Sequence, residues 1–314
     1  MDFDALCEQL HLGALTAEPI RLYGGLMHKM YRVATEGGVY AVKCLNPHVM
    51  ARPTAAANFA AAEELERKLE QTDLPILPAL TIGGRKMQEV GGAYCYLFSY
   101  FEGKALTEGD ITPRHCAIVG GLLARLHAVE RKTAPVERDL PDLHWDGFGL
   151  SDEDVALLWL AQRMANKASL PPLLTICHND MDPKNVLWNG MDFRIIDLEC
   201  LGYGSPYLEL LETALCWAGY ESGTVDFDRF TAFVSAYAQA GGDLAADWAA
   251  VYAANCGRLE WLHYNLLRTG GSEGEENRAL GAAEVEKTLV CIKGYMKIQD
   301  EIVRVMDNIT KASP

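Results

Sequence analysis

The sequence lacks the features that mark several special classes of protein. Its nine cysteines are scattered and form no Cys-x-x-Cys pair, which argues against zinc sites and disulfides and for a reducing compartment. No uncharged apolar run approaches the roughly 20 residues needed to span a bilayer. The start, Met1-Asp2-Phe3-Asp4, has no basic and apolar leader pattern. We therefore expect a cytoplasmic protein with no membrane partner.

Positive charge is also scarce, because 28 Lys and Arg stand against 43 Asp and Glu, and the net charge is −15. A nucleic-acid backbone requires a basic protein surface, so we expect no nucleic-acid partner. The acidic balance suits a neutral or cationic ligand, although it also serves solubility alone. A chain of 314 residues is long enough for two domains, each with its own core.

One polar stretch, 177–188, has apolar runs on both sides that predict short strands. It contains the spacing His178-x-Asp180-x-x-x-x-Asn185, and Asp197 follows the second apolar run. Protein kinases use this spacing for phosphoryl transfer: the first Asp takes the hydroxyl proton, while the Asn and the later Asp hold magnesium. The alternative is a polar turn between two core strands. Three oxygen ligands placed beside buried strands favour chemistry.

The region before Glu102-Gly103 predicts a unit rich in β-strands, and the region after it is mostly helical in pattern. We therefore predict two domains, 1–101 and 102–314. The predicted strands of the first domain are 20–26, 30–35, 39–45, 80–83 and 94–101, with one helix at 55–71.

Lys43 is the one lysine in an apolar strand, where it must either reach solvent or meet a carboxylate. The helix that follows carries Glu63 and Glu66 beside its inner stripe. Kinases pair such a lysine with a helix glutamate to hold it on the nucleotide's phosphates. We favour Glu63, near the middle of the helix, and keep Glu66 as the alternative.

Two other segments are candidates for nucleotide binding. The Gly24-Gly25 turn could bring backbone N–H groups close to a polyphosphate, although a plain β-turn is the ordinary interpretation of an isolated glycine pair. The backbone from Ser99 to Phe101, at the end of the last predicted strand, could recognise adenine.

These segments, with 121–127 and the Pro206 to Leu210 turn, occur in an order that resembles the aminoglycoside phosphotransferase and choline kinase superfamily over about residues 20 to 220. The resemblance implies an α+β, bilobal, protein-kinase-like fold. Its N-terminal lobe would hold a five-stranded antiparallel sheet and a helix, and its C-terminal lobe would be mostly helical. It further implies an enzyme that uses ATP (or GTP) and Mg²⁺ to phosphorylate an alcohol group of a small molecule.

The resemblance also implies roles for individual residues. Asp180 would be the catalytic base or the residue that orients the acceptor hydroxyl. Asn185 and Asp197 would be the Mg²⁺ ligands, and Lys43 would be the phosphate contact held by Glu63.

The chain departs from the pattern at three positions. Glu209-Leu210 replaces the Asp-Leu that usually follows the proline, a conservative change that leaves the predicted fold unaltered. His28 stands in the nucleotide loop where the family often has Asn, so its phosphate contact is an expectation from position. Asp197-Leu198-Glu199 replaces the Asp-Phe-Gly of protein kinases, and Pro206 follows too soon for an activation segment. The Asp-Leu-Glu sequence and the early proline both favour a small-molecule kinase over a protein kinase. In such an enzyme Glu199 would bind metal or substrate.

The substrate is the least determined part. An aminoglycoside, choline or ethanolamine, thiamine, and a sugar or amino-alcohol metabolite all remain open. Aminoglycosides and choline are cationic, which fits an acidic chain. Glu209 is a candidate for binding an amine, and Trp217 and Trp261 are candidates for a cation–π contact, although tryptophans in a helical lobe are more often core. The loop 269–276 would be a linker or an acidic lip over the substrate. A kinase-like scaffold without catalysis is the other alternative, against which the complete set of motif residues argues.

Overall fold

The structure, a computed structural model, describes residues 1–23, 27–137, 142–244, 248–271 and 274–312. The strands are β1 (Ile20–Leu22), β2 (Lys29–Thr35), β3 (Gly38–Cys44), β4 (Gln88–Val90), β5 (Ala93–Ser99), β6 (Lys104–Ala105), β7 (Arg131–Lys132), β8 (Leu174–Cys177), β9 (Val186–Asn189), β10 (Asp192–Ile195) and β11 (Gly202–Gly204). The helices are α1 (Phe3–Gln9), α2 (Pro47–Met50), α3 (Ala55–Leu69), α4 (Pro113–Ala128), α5 (Asp152–Lys167), α6 (Pro206–Trp217), α7 (Phe227–Gln239), α8 (Ala250–Ala253), α9 (Cys256–Thr269) and α10 (Glu275–Ala312).

The chain forms two compact units. The first contains residues 1–106 and 183–202, and the second contains 107–182 and 203–314. The segment 183–202, which carries part of the polar motif, thus belongs with the N-terminal residues. The predicted division into domains 1–101 and 102–314 stays a prediction.

A five-stranded antiparallel sheet forms the centre of the first unit, in the order β1-β2-β3-β5-β4. This confirms the predicted sheet. Lys43 lies on the middle strand, opposite Met30 of β2 and Tyr96 of β5. Val42, which precedes Lys43 on β3, faces a buried core that includes Leu97. Because side chains alternate across a strand, Lys43 points to the other face of the sheet.

The prediction of a strand at 80–83 was wrong. Ile82 makes only an isolated bridge to Arg85, and the edge strand is β4. The turn from β4 to β5 consists of Gly91 and Gly92, whose φ angles are +58° and +77°. A two-residue loop with positive φ at both positions favours a tight hairpin, and glycine adopts it without steric cost. The glycine pair was the sequence signal for this hairpin.

Strands border the polar motif on both sides, as predicted. In the second unit, β8 ends at Cys177. In the first unit, β9 and β10 form an antiparallel hairpin that begins directly after Asn185, and β6 pairs with β9 on its other edge.

Helices make up most of the second unit, and α4 packs closely against α7. The Thr112 side chain accepts a hydrogen bond from the His115 backbone N–H and so begins α4, with Pro113 at the first helical position. Gly120 on this helix is buried against the backbone of Phe233 on α7. Among the described residues, no helix is long and apolar enough to cross a membrane.

Gly120→Ala is expected to destabilise the fold, because the added Cβ would lie 2.2 Å from the Phe233 carbonyl oxygen and would push α4 away from α7. Overpacking of this kind costs about 1–3 kcal/mol. Gly121→Ala is the matched control. Its Cβ would meet no described atom within 4 Å, so the gain in helix propensity, up to about 1 kcal/mol, should stabilise the protein. Urea unfolding of both variants measures the difference, and equal free energies of unfolding would contradict the close packing of α4 on α7.

Candidate active site

Two carboxylates bind Lys43 within the first unit. Its Nζ donates hydrogen bonds to Asp197 Oδ1 at 2.5 Å and to Glu199. Burial lowers the pKa of Lys43, but the charges and hydrogen bonds of Asp197 and Glu199 outweigh burial, and the pKa is raised overall. Lys43 therefore stays charged at neutral pH.

Glu199 is held from its other side by His28. The His28 Nδ1 accepts a hydrogen bond from the Asn46 backbone N–H at 3.0 Å, so the proton of a neutral ring lies on Nε2, which is 3.2 Å from Glu199 Oε1. Burial alone would raise the pKa of Glu199. The His28 hydrogen bond and the Lys43 charge together have a larger, opposite effect and lower the pKa to about 2. Thus His28, expected to contact a phosphate, here fixes a carboxylate.

The prediction that Lys43 forms an ion pair with Glu63 was wrong. Glu63 instead accepts a hydrogen bond from the Tyr96 hydroxyl at 2.9 Å and pairs with Arg67 on the next helical turn. The alternative, Glu66, accepts from the Ala79 backbone N–H. Each helix glutamate thus has its own partners, while Lys43 is neutralised by acids from a different segment.

Glu66 also lies 3.0 Å from Lys86. Because burial outweighs this pair and the Ala79 bond, the pKa of Glu66 is raised.

Asn185, Asp197 and Glu199 together offer the hard oxygen donors that Mg²⁺ prefers. The backbone carbonyl of Asn185 accepts a hydrogen bond from the Ile196 backbone N–H at 2.9 Å. This bond ties the residue before Asp197 to Asn185. Asp197 itself has a left-handed backbone, with φ +65°, and begins the 3-10 helix Leu198–Cys200. That conformation is uncommon for a residue other than glycine and marks a constrained position. This donor set fits a divalent cation.

In the second unit, three anchors hold the backbone around Asp180. The His178 Nδ1 accepts from the Asp180 backbone N–H at 3.3 Å. The Asn179 N–H donates to Glu209 Oε1 at 2.6 Å, and the Met181 carbonyl accepts from the Trp217 indole N–H at 2.9 Å. Asn179 also has a left-handed backbone, with φ +62°. The loop that carries Asp180 is therefore fixed by α6 on both sides of the aspartate.

The prediction that Glu209 and Trp217 bind the substrate is therefore corrected, because both side chains hold the loop instead. Both side chains are buried, and their polar atoms are used to hold the loop. Burial raises the pKa of Glu209, but hydrogen bonds from His127 and from the Asn179 backbone outweigh it, so the pKa is lowered. The His127 ring bridges Glu209 at 2.7 Å and the Tyr237 hydroxyl at 2.8 Å. His127 is therefore a hydrogen-bonded core residue.

His127, Cys177 and Glu209 bring potential metal ligands within 4.8 Å of one another. The polar atoms of His127 and Glu209 are already taken by the hydrogen bonds described above. Burial raises the pKa of the Cys177 thiol well above its ordinary value, which disfavours the thiolate that a metal requires. The cluster is structural.

The remaining predicted residues keep their status as predictions. Ser99 is exposed at the end of β5, and Phe101 lies under the Arg194 guanidinium at 5.1 Å. The Trp261 indole donates to Glu284 on α10 and stacks on Tyr264. Gly24 and Gly25 lie outside the described residues, as does part of the loop 269–276.

The chain belongs to the phosphotransferase enzyme family, whose family model matches residues 19–253. It is a phosphotransferase that acts on a hydroxyl group of a small molecule. A homoserine kinase of Methylobacillus glycogenes is 27% identical over 228 residues, which cover 68% of each chain. The resemblance inferred from the motifs is thereby confirmed.

Solved structures confirm the kinase-like fold. Spectinomycin phosphotransferase in complex with ADP and spectinomycin matches with a TM-score of 0.65 at 14% identity, over 94% of this chain and 98% of that one. The microcompartment-associated aminopropanol kinase matches with a TM-score of 0.64 at 14% identity, over 97% and 100%. A choline/ethanolamine kinase family protein from Mesorhizobium loti matches at 0.58 and 17% identity, over 93% and 99%.

Trp217→Phe is expected to lower kcat about 10-fold, because an unanchored Met181 carbonyl lets the Asp180 loop move; one lost buried hydrogen bond is worth about 1–3 kcal/mol. Trp145→Phe is the control, since its buried indole N–H donates to Gln162 in a core cluster of the same unit. Both variants should lose similar thermal stability, but only Trp217→Phe should lose turnover. Equal turnover in the two variants would count against the anchoring role.

The low pKa of Glu199 predicts a pH-dependent contribution to stability. A carboxyl group whose folded pKa is about 2 stabilises the fold fully above its unfolded pKa near 4.5, and the contribution is lost as pH falls toward 2. The difference in unfolding free energy between wild type and Glu199→Gln should therefore be largest above pH 5 and shrink below it. Urea titrations between pH 6 and 3 measure this difference, with Glu64→Gln at an exposed site of α3 as control. A constant difference across this range would refute the assignment.

Proposed function

We propose that this protein transfers the γ-phosphate of ATP, with Mg²⁺, to a hydroxyl group of a small molecule that carries an amine. The observation that carries the proposal is the charged Lys43 held between Asp197 and Glu199, with Asn185 tied to the same segment. Such a cluster supplies one cation for phosphate oxygens and three oxygen donors for a metal. Asn185 and Asp197 would hold Mg²⁺, and Glu199 is a further donor.

The transfer step assigns separate tasks to these groups. The acceptor oxygen attacks the γ-phosphorus, the bond from that phosphorus to the β–γ bridging oxygen breaks, and ADP leaves. The hydroxyl proton passes to Asp180, whose loop is held by Glu209 and Trp217. Lys43 neutralises phosphate charge, and a bound Mg²⁺ supplies further charge neutralisation.

ATP as the donor is supported by relatives of the same fold. Spectinomycin phosphotransferase was solved with ADP, and the amicoumacin kinase hAmiN with AMP-PNP and Ca²⁺. In this chain, the first domain would bind the nucleotide, with Ser99 and Phe101 beside the base and the Gly24-Gly25 turn near the phosphates.

An amine on the acceptor is supported by the names of the relatives and by charge. Homoserine, ethanolamine and aminopropanol each carry a hydroxyl and an amine, and kinases named for them are among the similar proteins. The net charge of −15 also favours a cation.

Asp180→Asn is expected to lower turnover about 10²- to 10⁴-fold, because the amide cannot accept the hydroxyl proton. A screen of amino alcohols, choline, thiamine and amino sugars, followed by coupled ADP release, would first find an acceptor. Asp228→Asn, at an exposed site on α7, is the matched control and should keep full activity.

Two results would contradict the proposal. One is wild-type turnover in Asp180→Asn on the best acceptor. The other is nucleotide binding with neither hydrolysis nor transfer to any alcohol tested, which would favour a non-catalytic kinase-like protein.

A further inference from the structure

A second polar cluster lies in the second unit and plays no part in the steps described above. It consists of Glu212 on α6, Arg258 on α9 and Tyr220 in the short 3-10 helix after α6. The Arg258 guanidinium lies over the Tyr220 ring, 4.0 Å from its centroid. We refer to these three residues as the Glu212–Arg258 cluster.

The polar groups of this cluster are poorly satisfied. Within the part of the chain that the structure describes, Arg258 has no carboxylate within 4 Å, and its hydrogen bond goes to the Cys216 sulfur at 3.4 Å. The Tyr220 side chain is 1% exposed, yet its hydroxyl has no hydrogen-bond partner among the described residues. Glu212, which is half-buried, likewise makes no hydrogen bond to a described residue. Buried polar groups are normally paired, so unpaired ones require an explanation.

The cluster lies on the helix that holds the loop of Asp180: Glu212 is one turn before Cys216 on α6, and the Cys216 sulfur accepts a hydrogen bond from Arg258. Burial raises the pKa of Glu212 to about 8; Arg258 lowers it, and the carboxylates of Glu209, Asp182 and Glu260 raise it. Asp182 is two residues from Asp180. In addition, α6 contacts the same loop through the Trp217 indole. A ligand that presents its hydroxyl to Asp180 would therefore have its far end near this cluster.

Glu212 and Arg258 carry opposite charges when ionised, and this pair of charges indicates which kind of ligand the cluster could bind. A guanidinium is always protonated and binds a carboxylate through two parallel N–H donors. A cationic amine alone would be repelled by Arg258, whereas a carboxylate alone would be repelled by Glu212. A ligand with both an ammonium and a carboxylate would satisfy both side chains.

We propose that the Glu212–Arg258 cluster binds the amino acid end of the acceptor, with Glu212 on the ammonium and Arg258 on the carboxylate. The acceptor is then an amino acid with a side-chain hydroxyl. This proposal rests on the proposed function and narrows the amine-bearing acceptor to a zwitterion.

Two matched series of acceptors test the proposal. L-Homoserine is compared with 3-aminopropan-1-ol, which lacks the carboxylate, and with 4-hydroxybutyrate, which lacks the ammonium. L-Serine is compared in the same way with ethanolamine and 3-hydroxypropanoate. In at least one series, the complete amino acid should have the highest kcat/KM, by about 10- to 100-fold over each analogue, because each analogue leaves one charged partner unpaired.

Variants assign each charge to its residue. Arg258→Gln should lower kcat/KM about 10- to 100-fold for the amino acid, but should not lower it for the amine without a carboxylate, which Arg258 repels. Glu212→Gln should lower kcat/KM for the amino acid and the amine, but should not lower it for the hydroxy acid, which Glu212 repels. Arg268→Gln is the control, since Arg268 lies on the same helix and bonds to Asn277. If Arg258→Gln does not fold, Arg258→Lys keeps the charge and loses only the paired donors.

The dependence on pH provides a second readout. Binding of an ammonium to Glu212 requires its ionised form, so affinity for the amino acid should rise between pH 6.5 and 8, through the pKa of about 8. Calorimetry in two buffers of different ionisation enthalpy should show proton release on binding. Glu212→Gln should abolish that release.

Failure of this proposal is distinct from failure of the proposed function. If the enzyme phosphorylates amines without a carboxylate better than amino acids, or if Arg258→Gln lowers both equally, the zwitterion proposal is overturned and the kinase stands. If no alcohol is phosphorylated, the proposed function fails. Calorimetry with L-homoserine and L-serine then decides the zwitterion proposal: binding that Arg258→Gln weakens supports it, and absence of binding overturns it.

Discussion

The neutralisation of Lys43 is the constraint on which the candidate site residues of the first unit depend. A lysine on the middle strand of a sheet cannot stay charged without carboxylates close by. Asp197 and Glu199 meet this requirement from one short turn, and His28 fixes the outer side of Glu199. The left-handed backbone at Asp197 is part of this arrangement. The electrostatic requirement of one side chain thus accounts for the conformation of a segment more than 150 residues away.

Helix α6 plays the corresponding part in the second unit. Glu209 and Trp217 bind the backbone on either side of Asp180, so this aspartate is positioned by buried side chains of α6. Glu212 lies three residues after Glu209, on the same side of the helix. One helix therefore carries both the residues that hold the loop and Glu212, which we propose binds the ammonium of the acceptor.

The sequence predicted the local structure well where periodicity was strong. The strands around Lys43 and helix α3 follow from alternation and helix-forming composition. The prediction of a strand at 80–83 was wrong because a short apolar run does not by itself supply a pairing partner, whereas the Gly91-Gly92 turn lets β4 pair with β5. The predicted partner of Lys43, Glu63, was also wrong. Glu63 lies on the expected face of its helix, but Tyr96 and Arg67 already occupy its carboxylate.

By itself, the sequence determined the identity of the motif residues, because the spacing of His178, Asp180, Asn185 and Asp197 is a property of the chain alone. It also determined the family, whose landmarks are read in order along the sequence. Only the tertiary structure decided which carboxylates neutralise Lys43 and which tryptophan anchors the loop. Those choices depend on distances between residues far apart in the chain, and on which polar groups lose their water when the protein folds.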